Sequence, residues 1–436
     1  MKPVKVGLLG LGTVGGGTVD VLKRNAEEIT RRAGRGIQVT HASARDVNKE
    51  RRFPMEGIEL LADPFELVNH PEIDIIAELI GGTEPAFGLV MTAIDNGKHV
   101  VTANKALIAM HGNEIFEAAQ KKGVIVAFEA AVAGGIPIIK AMREGLAGNR
   151  IDSVVGIING TSNYILTAMR EQERNYADVL LEAQTLGYAE ADPTFDIEGI
   201  DAAHKLTILA AIAFGIPLQY DKVYTEGVTR ITIDDVNFAE RFGYRIKSLA
   251  IARRTDDGVE MRVHPTLIPE KRLIANVDGV HNAVLVTGDA VGDTIYYGAG
   301  AGAEPTASAV VADLVDIVRA MTSDPKNRVP HLAFQADALS DETILSMDDI
   351  YTAYYLRMQA VDEPGVLAEV TRVLGEAGIS IEAILQREPL EGATHVPVIL
   401  LTQRVQERYM NQAIRDLESL DVIDGEIMRI RMDPLD

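Results

Sequence analysis

The chain has 436 residues, 47% of them hydrophobic and 24% charged, which is typical of a globular protein too long for one core. We expect about two to four domains. The formal net charge of -22 argues against a nucleic-acid partner, because phosphate binding needs clustered lysines and arginines. The absence of cysteine excludes disulfides, thiolate nucleophiles and cysteine-ligated zinc.

The apolar runs are all shorter than the roughly 20 residues that span a bilayer. The amino-terminal residues enter a strand at Val4 without the apolar segment of a secretory leader. We therefore predict a cytoplasmic protein with no membrane partner.

A glycine-rich turn follows the first predicted strand, residues 4–9. It has the G-x-G-x-x-G spacing and opens a helix, an arrangement that lets a pyrophosphate approach main-chain amides. The alternative is a plain glycine-rich turn. The predicted cofactor-binding residues are Gly10, Leu11, Gly12, Thr13, Val14 and Gly15.

Apolar strands recur at residues 37–42, 73–77, 99–102 and 124–128, with helical stretches such as 87–96 and 113–120 between them. This alternation predicts a doubly wound parallel sheet, a Rossmann-like nucleotide domain. Arg45 follows the second strand, where it could meet a 2′-phosphate, so NADP is favoured over NAD although Asp46 is adjacent.

Two loops follow later strands of this sheet, at the edge where open α/β sheets bind ligands. They contain Thr83 and Thr102, which we predict to contact the cofactor, and also Lys105. A lysine in such a loop is more often simply solvated.

Acidic residues are concentrated before a predicted helix at residues 200–214, with five carboxylates in the twelve residues from Glu190 to Asp201. Asp201 and Lys205 are four apart, so they share one face of that helix. A lone pair of this kind is usually an exposed ion pair. The upstream acids Glu190, Asp192 and Asp196 favour a ligand site, because clustered acids repel one another.

The middle of the chain changes character, with predicted strands at residues 151–158, 261–267, 283–288 and 294–297. Such a set indicates a mixed or antiparallel sheet with helices on one face. The segment Asn-Gly-Thr-Ser-Asn-Tyr, residues 159–164, precedes a predicted helix at 165–170 and could be a helix cap through Thr161 or Ser162. A small-residue segment, 298–308, leads into a helix at 309–321.

The last part of the chain follows a linker-like segment, residues 324–341. Strands are predicted at 352–361, from 379, at 396–402 and at 427–432, with helices at 366–377 and 407–419. The order βαββαβ is the ferredoxin-like arrangement.

Three motif groups resemble the homoserine dehydrogenase family. They are the segment 187–205, with Gly-Tyr, Asp-Pro-x-x-Asp and Gly-x-Asp-x-x-x-Lys; the segment 159–164, where only Ser162 departs from the family's threonine; and Gly-Ala-Gly followed by Pro-Thr-Ala-Ser-Ala. The resemblance implies hydride transfer between NAD(P) and homoserine, giving aspartate semialdehyde, in threonine, methionine and isoleucine biosynthesis. It also implies no fused kinase, since the chain starts at the nucleotide strand.

The resemblance implies a role for each residue of the acidic segment. Lys205 would be the principal acid–base, Lys105 its partner by the nicotinamide, and Asp201 the group that orients Lys205 or the substrate. Glu190 would bind the substrate ammonium, with Asp196 as second choice. Substrate-binding residues would also include Gly160 and Thr161.

The resemblance further implies a monovalent cation, sodium, held by Glu129 and main-chain oxygens of Val132, Gly134 and Ile136. Hard cations take oxygen ligands, which permits the site. On the residues alone, a plain interdomain turn fits equally well.

The carboxyl-terminal region resembles an ACT domain, which binds amino acids in regulated enzymes. The helix start at Gly365 would offer amides to a carboxylate and Asp362 would meet an ammonium, with threonine as the expected inhibitor. Such domains pair through strand edges, which predicts a homodimer or homotetramer. The alternative is a dimerisation module without a ligand.

The predicted domains are a dinucleotide-binding domain at residues 1–130 with a return helix at about 305–322, an α+β substrate and dimerisation domain at 131–304, and the ACT domain at 350–436. Two other functions stay open. One is an NAD(P)-dependent dehydrogenase of a different small amino or oxo acid, and the other is an inactive amino-acid sensor.

Overall fold

A parallel α/β unit begins the chain in the computed structural model, which describes residues 2–46, 48–51, 53–386 and 394–435. Its elements are β1 (Val4–Leu9), α1 (Thr13–Arg24), α2 (Ala26–Ala33), β2 (Ile37–Ser43), β3 (Glu59–Leu61), α3 (Pro64–Asn69), β4 (Ile75–Glu78), α4 (Ala86–Asp95), β5 (His99–Thr102), α5 (Lys105–Lys122) and β6 (Val126–Ala127).

The six strands are parallel in the order β3-β2-β1-β4-β5-β6, which confirms the doubly wound sheet. β4 and β5 are buried along their whole length, as expected where helices cover both faces. The strand predicted at 124–128 is shorter, only Val126–Ala127. The helix predicted at 113–120 is the second half of α5.

The middle region is built on an antiparallel sheet. Its elements are α6 (Ile138–Lys140), β7 (Ile151–Ile157), α7 (Gly160–Gln172), α8 (Tyr176–Thr185), α9 (Thr194–Ile197), α10 (Ile200–Phe214), β8 (Tyr224–Thr225), α11 (Ile233–Arg241), β9 (Tyr244–Arg254), β10 (Val259–Pro269), β11 (His281–Gly288), β12 (Gly292–Ala299) and α12 (Ala303–Ala320).

β12, β11, β7, β9 and β10 pair antiparallel in that order, and α10 packs against three of these strands. α10 has the predicted bounds. It is apolar nearly all round, which suits a helix between the sheet and α5. β9 escaped prediction because charged residues interrupt its apolar pattern. One of them, Lys247, is buried and donates to Asp278 Oδ1 (2.9 Å).

α12 lies against α1 of the nucleotide unit. The contact is close at Gly17, where a Cβ would stand 2.6 Å from the Ala303 carbonyl oxygen, so only glycine fits. Apolar residues of α12 share a core with β1, including Val310 and Leu314. The linker-like segment that follows also packs on the body, since Leu332 is buried.

The carboxyl-terminal elements are β13 (Tyr351–Val361), α13 (Val366–Glu376), β14 (Ile381–Gln386), β15 (His395–Thr402), β16 (Val405–Gln406), α14 (Glu407–Glu418) and β17 (Ile423–Met432). Apart from the short β16, their order confirms the ferredoxin-like prediction. The sheet order is β17-β13-β15-β14.

β17 also pairs in parallel with β10, with Thr266 opposite Arg431 and Leu267 opposite Met432. The middle and carboxyl-terminal units therefore share one 11-stranded sheet, which the sequence did not predict.

Buried charges line this junction. Arg431 donates to Glu407 Oε1 (2.6 Å), to Glu226 Oε2 (2.8 Å) and to the Tyr224 hydroxyl (3.2 Å), and Arg429 NH1 lies 3.0 Å from Glu407 Oε1. We call these five residues the seam cluster. Arg431 and Glu407 are almost fully buried, and both form ion pairs. No helix in the described part of the chain is long and apolar enough to cross a membrane.

Candidate active site

The glycine-rich turn lies at the carboxyl end of β1, in the centre of the parallel sheet. Gly10 has φ +98°, and a Cβ at Gly15 would stand 2.2 Å from the Gly10 carbonyl oxygen. Only glycine tolerates this backbone and this approach. The other residues of the turn are exposed or half-buried: Leu11, Gly12, Thr13 and Val14.

The loops after β4 and β5 are joined by hydrogen bonds. Thr102 Oγ1 donates to Glu78 Oε2 (2.6 Å), and Asn104 Nδ2 donates to the Gly82 carbonyl (2.5 Å). Burial raises the pKa of Glu78, against its hydrogen bonds from Thr102 and from main-chain amides. Thr83 is half-buried nearby, and its carbonyl accepts from the first turn of α4. This network holds the start of α5, where Lys105 is the first residue.

Arg45 is exposed on the loop after β2. Its neighbour Asp46 accepts from the Asn48 main-chain amide (2.9 Å), and its carbonyl accepts from Arg51 (2.7 Å). The Asp46 carboxylate is therefore engaged in its own turn.

The two predicted lysines meet on one carboxylate. Lys205 Nζ donates to Asp201 Oδ2 (2.7 Å) and Lys105 Nζ lies 3.1 Å from Asp201 Oδ1. Lys205 also donates to the Ile158 carbonyl (2.7 Å). The Asp201 side chain is 6% exposed and that of Lys105 34%, so the group opens to solvent at Lys105.

A second carboxylate adjoins this group through an asparagine. Asn159 Nδ2 donates to Asp201 Oδ2 and Asp196 Oδ1, each at 2.8 Å. We call Lys105, Asn159, Asp196, Asp201 and Lys205 the lysine–aspartate cluster. The sequence prediction did not include Asn159, although asparagine before a helix is a recognisable cap.

Asn159 is also the N-cap of α7, because its Oδ1 accepts from the Ser162 main-chain amide (2.8 Å). The predicted cap at Thr161 or Ser162 was wrong. Thr161 donates instead to the Tyr188 carbonyl (2.6 Å). Gly160 packs where a Cβ would stand 2.8 Å from the Val280 carbonyl oxygen.

The pKa values of the two carboxylates of the cluster shift in opposite directions. Burial raises the pKa of Asp201, but the charges of Lys205 and Lys105 outweigh it and the net shift is downward. The pKa of Asp196 is raised, by burial first and then by the charge of Asp201. Asp201 is therefore the anion that both lysines share.

Glu190 is exposed on the turn after α8, and its main-chain carbonyl accepts from Gln184 (3.1 Å). Among the described residues, no hydrogen bond joins its carboxylate to the lysine–aspartate cluster. Asp196, the second choice for the substrate ammonium, is within the cluster.

Glu129 follows β6 and is buried. Its carboxylate accepts from the main-chain amides of Ile139 (2.9 Å) and Lys140 (2.8 Å), and its own amide donates to Asp313 Oδ2 (2.9 Å). Burial and the nearby charge of Glu129 raise the pKa of Asp313 to about 8. Two acids buried together fit a nearby cation.

The remaining residues predicted to hold a cation lie on the loop that follows. Gly134 has φ +53° and packs against the Gly300 carbonyl, Val132 is buried, and the Ile136 carbonyl accepts from the Ile138 amide (2.8 Å). The described residues contain no group of three or more His, Cys, Asp or Glu side chains that could hold a metal. A cation here would rest on one carboxylate and main-chain oxygens.

A cavity of about 170 Å³ lies between β13, α13, β14 and β15. Gly365, the N-cap of α13, lines it together with Gln386. Gln386 Nε2 donates to Asp362 Oδ1 (3.2 Å), so Gly365 lines the cavity and Asp362 is hydrogen-bonded to a residue that lines it.

Comparison with known families matches three segments of the chain. Residues 10–129 match the homoserine dehydrogenase NAD-binding domain, residues 137–315 match homoserine dehydrogenase, and residues 354–419 match the ACT domain.

Full-length relatives carry the same description. Homoserine dehydrogenase of Pseudomonas aeruginosa is 66% identical over 435 residues, covering all of both chains. The crystal structure of a homoserine dehydrogenase from Thiobacillus denitrificans is 64% identical, covers 100% of this chain and 99% of its own, and superposes with a TM-score of 0.95. A hyperthermophilic archaeal homoserine dehydrogenase in complex with NADPH is 25% identical, covers 72% of this chain and 98% of its own, and has a TM-score of 0.61.

Proposed function

The chain belongs to the homoserine dehydrogenase family, an NAD(P)-dependent oxidoreductase acting on a CH–OH group, and from this premise we propose that Lys205 and Lys105 handle the proton of the reaction. The observation that carries the proposal is that both amines contact Asp201 although they come from separate domains. Lys105 follows the end of β5 by three positions, so this contact lies at the carboxyl edge of the parallel sheet, where open α/β sheets bind their ligands.

Lys205 is suited to proton transfer by its hydrogen bonds. An ammonium has three N–H donors, and two of them point to Asp201 and the Ile158 carbonyl. The third direction is left for the substrate oxygen. The reduced coenzyme, when bound, supplies the hydride to the aldehyde carbon of aspartate semialdehyde. When the aldehyde is reduced, Lys205 donates a proton to its carbonyl oxygen. When homoserine is oxidised, Lys205 takes the proton of its hydroxyl group.

The substrate ammonium requires an anion, and we assign this to Asp196 together with Glu190, with Gly160 and Thr161 shaping the pocket. Asp196 is supported by its place beside Asp201, because Asn159 Nδ2 donates to both carboxylates. Asp196→Asn should raise the KM for homoserine more than it lowers kcat, and Glu190→Gln tests the exposed alternative. A KM unchanged in both variants would remove the assignment.

The direct test of the mechanism is Lys205→Ala. Its kcat with homoserine should fall at least about a hundredfold, while nucleotide affinity, followed by fluorescence titration with NADPH, is kept. Lys271→Ala, which removes an exposed lysine beyond β10, is the matched control. Normal turnover by the Lys205 variant would exclude this residue from the mechanism.

Membership of this family also leads to proposals for the coenzyme and for a bound cation. We propose NADP as the preferred coenzyme, held by the turn from Gly10 to Gly15, by Thr83 and Thr102, and by Arg45 at the 2′-phosphate. Sodium is proposed at Glu129, Val132, Gly134 and Ile136. Sodium chloride should then raise Tm more than choline chloride at equal ionic strength, and this difference should vanish in Glu129→Gln. An equal response to both salts would exclude the site.

For the carboxyl-terminal cavity, we propose threonine as effector, with Gly365 amides toward its carboxylate and Asp362 toward its ammonium. Threonine should inhibit turnover, and Asp362→Asn should weaken inhibition without changing kcat in its absence.

We also propose a division into domains at residues 1–130 with a return helix at about 305–322, at 131–304 and at 350–436. We further propose a homodimer or homotetramer, which light scattering would distinguish from a monomer.

A further inference from the structure

A row of three tilted aromatic rings lies beside the lysine–aspartate cluster and belongs to none of the roles assigned above. Phe195 of α9, His204 of α10 and Tyr220 follow one another in space, with ring centroids 5.4 Å and 4.3 Å apart. Lys105 Nζ lies 5.7 Å from the centroid of the Phe195 ring, on its face. This distance is within the range of a cation–π interaction.

Lys105 is the more exposed of the two lysines of the cluster. It is the first residue of α5 in the nucleotide domain, and its side chain is 34% exposed, against 12% for Lys205. A lysine side chain loses substantial conformational entropy when it is held in one place. Within the described residues, the Lys105 ammonium contacts Asp201 and the Phe195 ring, both from the middle region.

His204 packs against Phe195, and Tyr220 packs against His204. Phe195 is 40% exposed, whereas His204 is 4% exposed and lies between Phe195 and Tyr220. Burial lowers the pKa of His204 to about 4, so the imidazole is neutral near pH 7 and adds no third cation beside the two lysines. His204 Nδ1 is buried without a hydrogen-bond partner among the described residues, so the contacts of this ring with Phe195 and Tyr220 are those of packing.

We propose that Phe195 is a positioning residue for Lys105, whose ring face holds the ammonium over Asp201 at the mouth of the site. The inference rests on the proposed role of Lys105. An aromatic ring is required because an aliphatic side chain of similar size offers no negative π-face to the ammonium.

The test separates the effect of the aromatic ring from that of the apolar volume of Phe195. Phe195→Leu keeps an apolar side chain but removes the ring, and kcat with homoserine should fall about three- to thirtyfold. Phe195→Tyr restores the ring and should recover most of that rate. Phe334→Leu is the matched control, because Phe334 is also 40% exposed and packs on Gly215, roughly 20 Å along α10 from Asp201.

A double-mutant cycle separates positioning from a general structural effect. In a Lys105→Ala background, Phe195→Leu should change kcat by less than about twofold, because the interaction is already lost. An equal loss in both backgrounds, or no loss in either, would overturn the inference. If Lys105→Ala itself turns over at the unaltered rate, the failure lies in the proposed role of Lys105. If only that variant is impaired, the failure is confined to Phe195.

Discussion

The lysine–aspartate cluster and the seam cluster both bury charge in or beside the middle region, and they differ in access. Arg431 is 1% exposed, its guanidinium bonds two carboxylates and a hydroxyl, and Glu407 is 2% exposed beneath it. In the lysine–aspartate cluster, two ammonium groups share Asp201 and one of them reaches solvent. Donors that are all engaged make a scaffold, whereas a donor left facing a cleft can meet a ligand.

Disrupting the seam cluster should give the largest loss of stability. Arg431→Met leaves the buried Glu407 and the half-buried Glu226 without their main partner and should lower the free energy of unfolding by about 3–5 kcal/mol. Urea denaturation would show this as a lower midpoint. The matched control is Arg372→Met, in an exposed i,i+4 pair with Glu376, where about 0.5 kcal/mol is expected. Similar midpoints for both variants would contradict the scaffold role.

Asp201→Asn should disrupt the lysine–aspartate cluster, and the effect should appear in kcat rather than in stability. The amide keeps the shape but removes the anion between the two lysines, so kcat should fall about a hundredfold. The Arg431 variant, assayed below its unfolding midpoint, should lose less than about fivefold. Comparable losses of kcat in the two variants would erase the distinction between scaffold and site.

The raised pKa of Asp313, which is buried next to Glu129, can be tested through the pH dependence of stability. Its pKa is raised to about 8, so the folded chain holds a proton that an unfolded aspartate releases near pH 4. The free energy of unfolding should therefore fall as pH rises between these values, by at most about 1.4 kcal/mol per pH unit from this group. Asp313→Asn should make the decline shallower, whereas Asp316→Asn, one turn along α12, should not. Equal slopes in all three proteins would refute the shift.

The smallest effect is expected at Arg45, where the charge is exposed. Arg45→Gln should lower the ratio of kcat/KM for NADPH over NADH by about tenfold, since a solvent-facing contact to phosphate contributes about 1–2 kcal/mol. Lys2→Gln is the control for net charge. A ratio that stays constant would remove Arg45 from coenzyme selection.

Local patterns carried much of the prediction. The glycine turn, α10 and the βαββαβ order are each encoded over a few tens of residues, so spacing alone indicates them. β9 was missed because Lys247 looks like a surface residue until its burial against Asp278 is known. The β10–β17 pair joins residues 165 positions apart, such as Thr266 and Arg431, and no local pattern reports such a contact.

The site divides in the same way. The i,i+4 spacing of Asp201 and Lys205 could be recognised, but the approach of Lys105 depends on how α5 packs against α10. Asn159 and Phe195 lie within segments that the sequence singled out, yet their partners are set by tertiary packing. Spacing along one helix thus predicts the pair of Asp201 and Lys205, whereas the pairing of Lys105 with Lys205 was predicted only through the family resemblance.

Because β10 occupies the outer side of β17, the ACT unit keeps one unpaired sheet border in the described chain, that of β14. Two copies joined there by a two-fold axis would consume this border in both. Further molecules could not add at that place, so the contact would be self-limiting and could not propagate into a fibre.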